Sequence, residues 1–259
     1  MPAALPASVL VVGFAVTGTA VARRLLADGV RVVAADDAPT PEMRRRAAEL
    51  SVELLETPDA GKLAEVAKVV EAVVVSPGVP IQHPVFQMRR PVLSEVELAG
   101  RLTTAPMVAV TGTNGKTTVT TLVARMLEAS GRQALAAGNI GLPLLDALSL
   151  PAEVLVVEVS SFQLALTERF RPHVAVWLNL APDHLDWHPS FGHYAAAKAK
   201  IWANQGPQDV AIANAEDPAV MAAAASTPGR LLTFGLEAGD FRMMGECLVG
   251  PGGQTIIST

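Results

Sequence analysis

Short apolar runs alternate with amphipathic stretches along most of the chain. The runs are rich in Val, Leu and Ala, and the stretches between them show the spacing of helices that cover one face of a sheet. Strands that alternate with helices predict parallel sheets, so the expected fold class is α/β. The runs predicted as strands are residues 9–12, 30–35, 69–75, 107–111, 153–159, 174–180 and 209–214.

The pattern lapses once in the middle of the chain and changes again near its end. Residues 101–106 are mostly Thr, Ala and Pro, and a new strand follows them, which predicts a domain boundary there. We therefore expect a Rossmann-like domain at residues 1–104 and a second α/β domain at residues 105–259. The last residues hold Gly250-Pro251-Gly252-Gly253 between short β-type runs, a pattern that predicts a hairpin.

Composition narrows the class of protein without changing this fold. Among 259 residues, 50% are hydrophobic and only 4% aromatic, so two cores built from small aliphatic side chains are expected. A formal net charge of −5 argues against nucleic-acid binding, and no apolar run reaches the roughly 20 residues of a membrane span. The apolar N-terminus lacks a basic region and predicts a strand, and a single cysteine indicates a reducing compartment. A cytoplasmic protein is expected.

A glycine turn follows the first predicted strand. Gly13-Phe14-Ala15-Val16-Thr17-Gly18 leads into a helical stretch, and Asp36 and Asp37 end the second strand roughly 20 residues later. This arrangement is typical of a mononucleotide-binding unit. Ala15 stands where a dinucleotide site has the glycine that admits a pyrophosphate, which disfavours NAD.

A rigid loop follows the third predicted strand. Ser76-Pro77-Gly78-Val79-Pro80 lies at the carboxyl end of residues 69–75, where open α/β sheets bind ligands. Contact with a ligand and a plain turn are both compatible with the residues.

The strand at residues 107–111 opens a phosphate-binding loop. Glycines let backbone N–H groups surround phosphate oxygens, the start of the following helix favours anions, Lys116 reaches the outer phosphates and Thr117 ligates magnesium. Val110 departs from the general pattern, which has glycine there. We predict an ATP and magnesium site at Gly112-Thr113-Asn114-Gly115-Lys116-Thr117-Thr118.

Three further residues are considered as candidate site residues because of where they stand relative to the predicted strands and helices. Glu158 ends a buried strand and is expected to face a cation, since a buried carboxylate is costly otherwise. His184 follows the next strand and is compatible either with metal ligation or with a satisfied histidine. For Lys198, in a predicted helix at residues 194–202, the pattern alone favours a solvated lysine.

Together these segments resemble the Mur ligase family, the ATP-dependent amino-acid-adding enzymes of peptidoglycan synthesis. The resemblance spans essentially the whole chain, and the family's own phosphate loop accounts for Val110. The segment Glu158-Val159-Ser160-Ser161-Phe162-Gln163-Leu164 is similar to the branch that adds D-glutamate to UDP-N-acetylmuramoyl-L-alanine. Other motifs that carry the resemblance are Gly138-Asn139-Ile140-Gly141 and Asp183-His184-Leu185-Asp186.

The resemblance implies a role for each matching residue. Lys116 would bind the γ-phosphate, and Thr117 and Glu158 would hold a first magnesium ion. His184 would bind a second ion together with Lys198, which the family carbamylates with CO2. The residues implied to contact the UDP-muramoyl substrate are Val16, Thr17, Asp36, Asp37, Gly78, Asn139, Ser160 and Gln163.

The resemblance also implies a mechanism and its limits. The γ-phosphoryl group would pass to the alanyl carboxylate, and the D-glutamate amine would attack the acyl phosphate. The family has three domains, and this chain covers the first and part of the second, so we expect no full turnover from it alone. We also expect a monomer. A stand-alone nucleotide-binding module and a ligase for another amino acid are the alternatives, and residues 161–163 weigh against the latter.

Overall fold

The computed structural model of the protein describes residues 5–258 and contains two compact units. Unit 1 comprises the described residues up to Thr104 together with Gly141–Pro151 and Leu166–Arg169. Unit 2 comprises Ala105–Ile140, Ala152–Ala165 and the described residues from Phe170 onward. The first four residues of the predicted first domain and the last residue of the second lie outside the described part of the chain. Within the described residues, none of the helices has the length and the apolar character that a membrane span requires.

Unit 1 is built on a parallel sheet with strand order β3-β2-β1-β4-β5. Strand β1 pairs in parallel with both β2 and β4, so the carboxyl ends of these central strands meet at one edge. The described strands and α-helices of this unit up to Thr104 are β1 (Ser8–Val12), α1 (Val16–Ala27), β2 (Arg31–Asp36), α2 (Pro41–Glu49), β3 (Glu53–Glu56), α3 (Ala60–Val69), β4 (Ala72–Val75), β5 (Val92–Leu93) and α4 (Glu95–Leu102), with a 3-10 helix at Pro84–Gln87 before β5.

Unit 2 contains a parallel sheet with strand order β11-β10-β9-β6-β8-β7. Every residue of β6 except Val108 is buried, because strands lie on both sides of it and helices cover the sheet. Helix α6 belongs to unit 1. The elements of this stretch are β6 (Met107–Thr111), α5 (Lys116–Ala129), β7 (Ala134–Gly138), α6 (Leu144–Ala147), β8 (Val154–Glu158), α7 (Ser161–Ala165), β9 (Val174–Trp177), α8 (Phe191–Ala203), β10 (Val210–Asn214), α9 (Pro218–Ala224) and β11 (Arg230–Phe234).

A small antiparallel sheet ends unit 2. It has the order β12-β13-β14, with β12 at Arg242–Met244, β13 at Cys247–Val249 and β14 at Thr255–Ser258. Strands β13 and β14 flank a 3-10 turn at Pro251–Gly253, so the predicted hairpin is present. The α/β class with parallel sheets is confirmed.

The predicted strands differ from the observed ones mainly at their ends. The run predicted at residues 69–75 was too long, because Val69 ends helix α3 and strand β4 begins at Ala72. A continuous apolar run fits the end of a helix as well as a strand, which is why the pattern could not separate them. The strand predicted at residues 174–180 is observed as β9 (Val174–Trp177), so residues 178–180 belong to the loop that follows it.

Candidate functional site

The glycine loop of unit 2 joins β6 to α5 at the carboxyl edge of the sheet. Gly115 precedes the helix with φ at +82°, a conformation that favours glycine, and no side chain caps the helix start. Lys116 and Thr117 form the first positions of the 14-residue helix. The backbone N–H groups and the helix dipole therefore remain available to an anion at this end.

Asn179 holds the loop in shape. Its Oδ1 accepts hydrogen bonds from the backbone nitrogens of Thr113 at 3.0 Å and Asn114 at 2.9 Å. Its Nδ2 donates to the carbonyl of Asn114 at 3.1 Å. The Asn179 side chain thus supplies the hydrogen-bond acceptor for two backbone N–H groups of the loop, which have no strand partner there.

Lys116 is folded over its own loop. Its Nζ donates to the carbonyl oxygens of Gly112 at 3.1 Å and Thr113 at 3.0 Å. These are weak neutral acceptors, so an anion at the loop would compete well for the ammonium group.

Glu158 lies beside this lysine helix at the end of β8. It pairs across the sheet with Val110 on one side and Gly138 on the other, and only 2% of it is exposed. One carboxylate oxygen accepts from Thr117 Oγ1 at 2.7 Å, and the other accepts from Asn139 Nδ2 at 2.9 Å. The structure therefore brings Glu158, Thr117 and Asn139 together.

Lys198 is buried in α8 and points to the same loop, contrary to the solvated lysine that its sequence pattern favoured. Only 1% of it is exposed, and its Nζ donates to the carbonyl of Gly112 at 2.7 Å and lies 4.7 Å from the centre of the Tyr194 ring. Burial, and then the charge of Lys116, lower the pKa of Lys198 to about 7, against a smaller opposing effect of Asp183.

His184 lies on the loop after β9 with a positive φ of 53°. Its ring centre is 4.8 Å from that of Phe162 and 6.2 Å from that of Tyr194, whose hydroxyl is 3.0 Å from Thr113 Oγ1. Its imidazole also lies 3.5 Å from the Asp183 carboxylate. Tyr194 thus lies close both to His184 and to the phosphate loop. Among residues 5–258, no group of three or more His, Cys, Asp and Glu side chains is arranged to hold a metal alone.

Unit 1 has a cavity of about 600 Å³ at the carboxyl ends of its central strands. The cavity is lined by the glycine turn, by the end of β2 and by the loop after β4, so that loop contributes to a concave surface. None of the lining residues is Lys or Arg. The predicted substrate residues on this cavity are Val16, Thr17, Asp36, Asp37 and Gly78.

The remaining predicted substrate residues belong to unit 2. Asn139 is exposed, and it donates to Glu158 both from its side chain and from its backbone nitrogen, each at 2.9 Å. Ser160 and Gln163 bond to each other, since Gln163 Oε1 accepts from the backbone nitrogen and the hydroxyl of Ser160 at 3.0 and 3.1 Å. Only 2% of Gln163 is exposed, so its carbonyl end supports the start of α7.

Sequence reasoning missed several residues that shape these sites. Asn179 stands at a strand end next to β6, a position that could have marked it, whereas Tyr194 carries no local signal. His83 was also missed; its ring Nε2 lies 3.3 Å from the Asp37 carboxylate on the unit 1 cavity. These side chains act through partners far away in the chain, which a local pattern does not contain.

Two protein-family profiles match the chain. Residues 7–97 match the N-terminal domain described as Mur ligase MurD-like, and residues 110–257 match the Mur ligase middle domain. The second match alone covers more than half of the chain.

Curated relatives agree with these profiles. Proteins named UDP-N-acetylmuramoylalanine–D-glutamate ligase are 45% identical in Pelotomaculum thermopropionicum, over 87% of this chain and 51% of the relative, and 46% identical in Frankia casuarinae, over 88% and 50%. The protein of that name in Trichlorobacter lovleyi is 41% identical over 95% of this chain and 57% of its own length. The chain spans about half the length of the curated relatives it matches.

Solved structures support the fold. A UDP-N-acetylmuramate:L-alanyl-gamma-D-glutamyl-meso-diaminopimelate ligase from Neisseria meningitides superimposes with a TM-score of 0.63 at 18% identity, covering 97% of this chain and 86% of that one. A murein peptide ligase from Psychrobacter arcticus gives a TM-score of 0.56 at 17% identity, covering 93% and 57%. At such identities the likeness concerns the fold alone.

Proposed function

The chain belongs to the Mur ligase family, and we propose that it carries the uridine-nucleotide and ATP sites of a ligase that joins D-glutamate to UDP-N-acetylmuramoyl-L-alanine. The observation that carries this proposal is the meeting of Lys116, Thr117, Glu158 and Lys198 around one phosphate loop. Since the chain spans about half the length of its curated relatives, we assign it ligand binding and expect no complete turnover from it alone.

Unit 1 would hold the uridine nucleotide. Helix α1 starts at the cavity with Ala15 before it and no side-chain cap, so its N–H groups are free for a diphosphate. Gly78 and Thr17 would approach the ligand from the loop and the helix. The two aspartates at the end of β2 disfavour a more highly charged polyanion at that side of the cavity.

Unit 2 would bind ATP with Lys116 on the outer phosphates. The carboxylate of the alanyl group attacks the γ-phosphorus, a P–O bond forms to it, and the bond to ADP breaks. The amine of D-glutamate then attacks the acyl carbon, forms the C–N bond, loses a proton and expels inorganic phosphate. Lys116 and the N–H groups of the loop would stabilise the charge that accumulates on the transferred group, so positioning and electrostatics supply most of the rate.

The residues at the loop fit a magnesium ion. A hydroxyl and a carboxylate 2.7 Å apart, from Thr117 and Glu158, offer the hard oxygen ligands that magnesium prefers alongside phosphates. Asn139 orients the other carboxylate oxygen by donating to it. The ion would neutralise charge on the transferred phosphoryl group.

A second magnesium ion, held by His184 and a carbamylated Lys198, is a further part of the proposal. Among the described residues no carboxylate lies within ion-pair distance of Lys198, so a cationic side chain is poorly compensated there. The neutral amine would add to CO2, forming an N–C bond and releasing one proton, which converts the group into an anion. Crystals grown with bicarbonate, magnesium and nucleotide should show extra density on Nζ, and a plain ammonium group there would contradict this part.

Two other functions are alternatives to a D-glutamate ligase. A binding module without a catalytic role would bind the same nucleotides, and a ligase for another amino acid would share the phosphate loop. The family resemblance carried by Ser161, Phe162 and Gln163 favours D-glutamate, and relatives that bear the name of a D-glutamate ligase support it. A cytoplasmic, monomeric protein is proposed with this function, and light scattering tests the monomer.

Calorimetric titration is the direct test. We expect UDP-N-acetylmuramoyl-L-alanine and magnesium ATP to bind the full 259-residue chain at separate sites, each with one-to-one stoichiometry. Failure of both to bind would overturn the proposal. Phosphate release with both substrates and D-glutamate present would contradict the expectation that this chain does not turn over alone.

A further inference from the structure

Helix α8 contacts the phosphate loop with two side chains. Tyr194 and Lys198 stand four positions apart in this helix, so they lie on the same face, one turn apart. Lys198 Nζ donates to the carbonyl of Gly112 at 2.7 Å, and the Tyr194 hydroxyl lies 3.0 Å from Oγ1 of the next loop residue, Thr113. The helix therefore contacts two consecutive residues of the loop.

The direction of the bond between Tyr194 and Thr113 follows from the other partners of the threonine hydroxyl. Thr113 Oγ1 donates to the carbonyl oxygen of Ala181 at 3.2 Å and accepts from the backbone nitrogen of Ala181 at 3.0 Å. A hydroxyl has one proton and two lone pairs. Since the threonine proton goes to the carbonyl, the Tyr194 hydroxyl is the donor and takes the second lone pair.

The Tyr194 hydroxyl is bonded to the loop alone. The residue is fully buried, and in the part of the chain that the structure describes its hydroxyl has no second hydrogen-bond partner. A buried hydroxyl is costly without a partner. The bond to Thr113 therefore accounts for a tyrosine at this position, where a phenylalanine would pack as well.

A ligand affects the two contacts of α8 differently. The ammonium group of Lys198 is bonded to a neutral carbonyl, and a phosphate competes for it because hydrogen bonds between charged groups are stronger. The bond from Tyr194 to Thr113 joins two neutral hydroxyls and does not face that competition. It can therefore keep the loop attached to α8 while phosphates are bound.

We propose that Tyr194 is a positioning residue for the phosphate loop, whose hydroxyl holds Thr113 and the loop backbone in the conformation that receives the phosphates of ATP. The inference rests on the proposed binding of ATP by unit 2. Gly112 and Gly115 make this backbone permissive, so its shape depends on the side chains that tie it. A loop that is held before the ligand arrives loses less conformational freedom on binding, which raises affinity.

A double-mutant cycle tests the bond. Magnesium ATP is titrated by calorimetry into the full chain, Tyr194→Phe, Thr113→Ala and the double variant. Tyr194→Phe keeps the ring beside Lys198 and removes only the hydroxyl, and we expect the dissociation constant to rise about 3- to 10-fold. In the Thr113→Ala background the same substitution should cause no further loss, because the acceptor is already gone. Unchanged affinity in Tyr194→Phe, or an equal loss in both backgrounds, would overturn the proposal.

Two further variants separate loop geometry from general stability. Thr113→Ser keeps the acceptor, so adding Tyr194→Phe to it should weaken binding as much as in the unaltered chain. Ser130→Ala removes a hydroxyl that donates to the carbonyl of Leu127 at the other end of α5, and it should leave the affinity for magnesium ATP unchanged. A loss in Ser130→Ala as large as that in Tyr194→Phe would mean that lower stability weakens binding, and would contradict the positioning role.

Tyr194 is the single tyrosine of the chain, which allows the bond to be observed without a ligand. Tyrosine labelled with carbon-13 at Cζ gives one NMR signal, which should move in Thr113→Ala and stay in place in Ser130→Ala. An unmoved signal in Thr113→Ala would show that the bond is absent. If the unaltered chain does not bind magnesium ATP, the proposed function of unit 2 fails and this inference with it. If the chain binds and Tyr194→Phe binds equally well, only the assignment of Tyr194 fails.

Discussion

The two units each carry a glycine turn between the first strand of a parallel sheet and a helix, but the side chains around the turns differ. In unit 1 the turn before α1 is tied to Asp36 and faces a cavity with two acids and no Lys or Arg in its lining. In unit 2 the turn before α5 is contacted by Lys116 and Lys198, with Glu158 beside them. The backbone motif is shared, and the charges are opposite.

This difference shows how one backbone motif serves two ligands. A helix start attracts phosphate in either unit. Unit 1 adds acceptors that suit a sugar or base, whereas unit 2 adds cations and a carboxylate that suit a triphosphate with magnesium. A substitution in one turn should therefore change the ligand affinity or the unfolding free energy of its own unit and leave those of the other unit unchanged.

The largest effect is expected from Gly18→Ala, at the third residue of helix α1 after the unit 1 turn. A Cβ at this position would lie 2.0 Å from the carbonyl oxygen of Gly13, a backbone atom that cannot move aside cheaply. We expect the unfolding free energy of unit 1 to fall by more than about 3 kcal/mol. Gly115→Ala, at the residue just before α5 in unit 2, has no such clash but a φ of +82°, and should cost about 1–2 kcal/mol.

Fluorescence separates the units in that experiment. Trp177, Trp187 and Trp202 are the three tryptophans of the chain, and all belong to unit 2. In urea, Gly18→Ala should shift the circular dichroism transition and leave the tryptophan transition in place. A shift of both by the same amount would mean that the two units unfold as one.

Lys116→Met should abolish most of the affinity of unit 2 for its ligand. Loss of a charged donor to the phosphates is expected to raise the dissociation constant of magnesium ATP about 10- to 100-fold. The affinity for UDP should not change, because no lysine lines the unit 1 cavity. Calorimetry with both ligands measures the two effects, and equal losses for both would contradict separate sites.

Lys198 should make the stability of unit 2 depend on pH. Its pKa falls from an ordinary 10.5 to about 7 in the folded chain, because of burial and Lys116. Between these values the unfolded chain binds more protons, so the unfolding free energy rises with pH, by at most about 1.4 kcal/mol per unit. Below pH 7 the lysine is protonated in both states and adds no slope.

Urea unfolding at pH 7, 8 and 9, followed by tryptophan fluorescence in buffers without bicarbonate, measures this slope. Lys198→Met keeps the length of the side chain and should remove its contribution. An identical slope in the variant and the unaltered chain would show that the folded protein keeps Lys198 protonated throughout this range.

Local structure was largely predictable because its signals are local. The strand at Met107–Thr111 was predicted with the bounds it has, since an apolar β-branched run ends at a glycine loop. The hairpin around Gly252 was predicted from its turn residues. The prediction of a strand at Val69 was wrong because the residues around it do not distinguish the end of a helix from the start of a strand.

The sites were less predictable because they depend on contacts between distant residues. Lys198 lies 86 positions from Gly112 and meets it only through the packing of α8 on the sheet. Its sequence pattern favoured a solvated lysine, and only the family resemblance singled it out. Likewise, the order of the strands, which decides that Glu158 lies beside Thr117, comes from the topology of the sheet.

The smallest effects are expected from two buried threonines, one in each helix that follows a glycine turn. Thr19 Oγ1 donates to the carbonyl of Ala15 at 2.7 Å, whereas Thr120 Oγ1 has no partner among the described residues. Thr19→Val should cost about 1 kcal/mol, and Thr120→Val should be neutral or stabilise by less than about 1 kcal/mol, because it removes a buried unpaired hydroxyl. Urea unfolding measures both signs. A clear loss in Thr120→Val would mean that its hydroxyl is bonded in solution, and the two turns would then be more alike than their charges suggest.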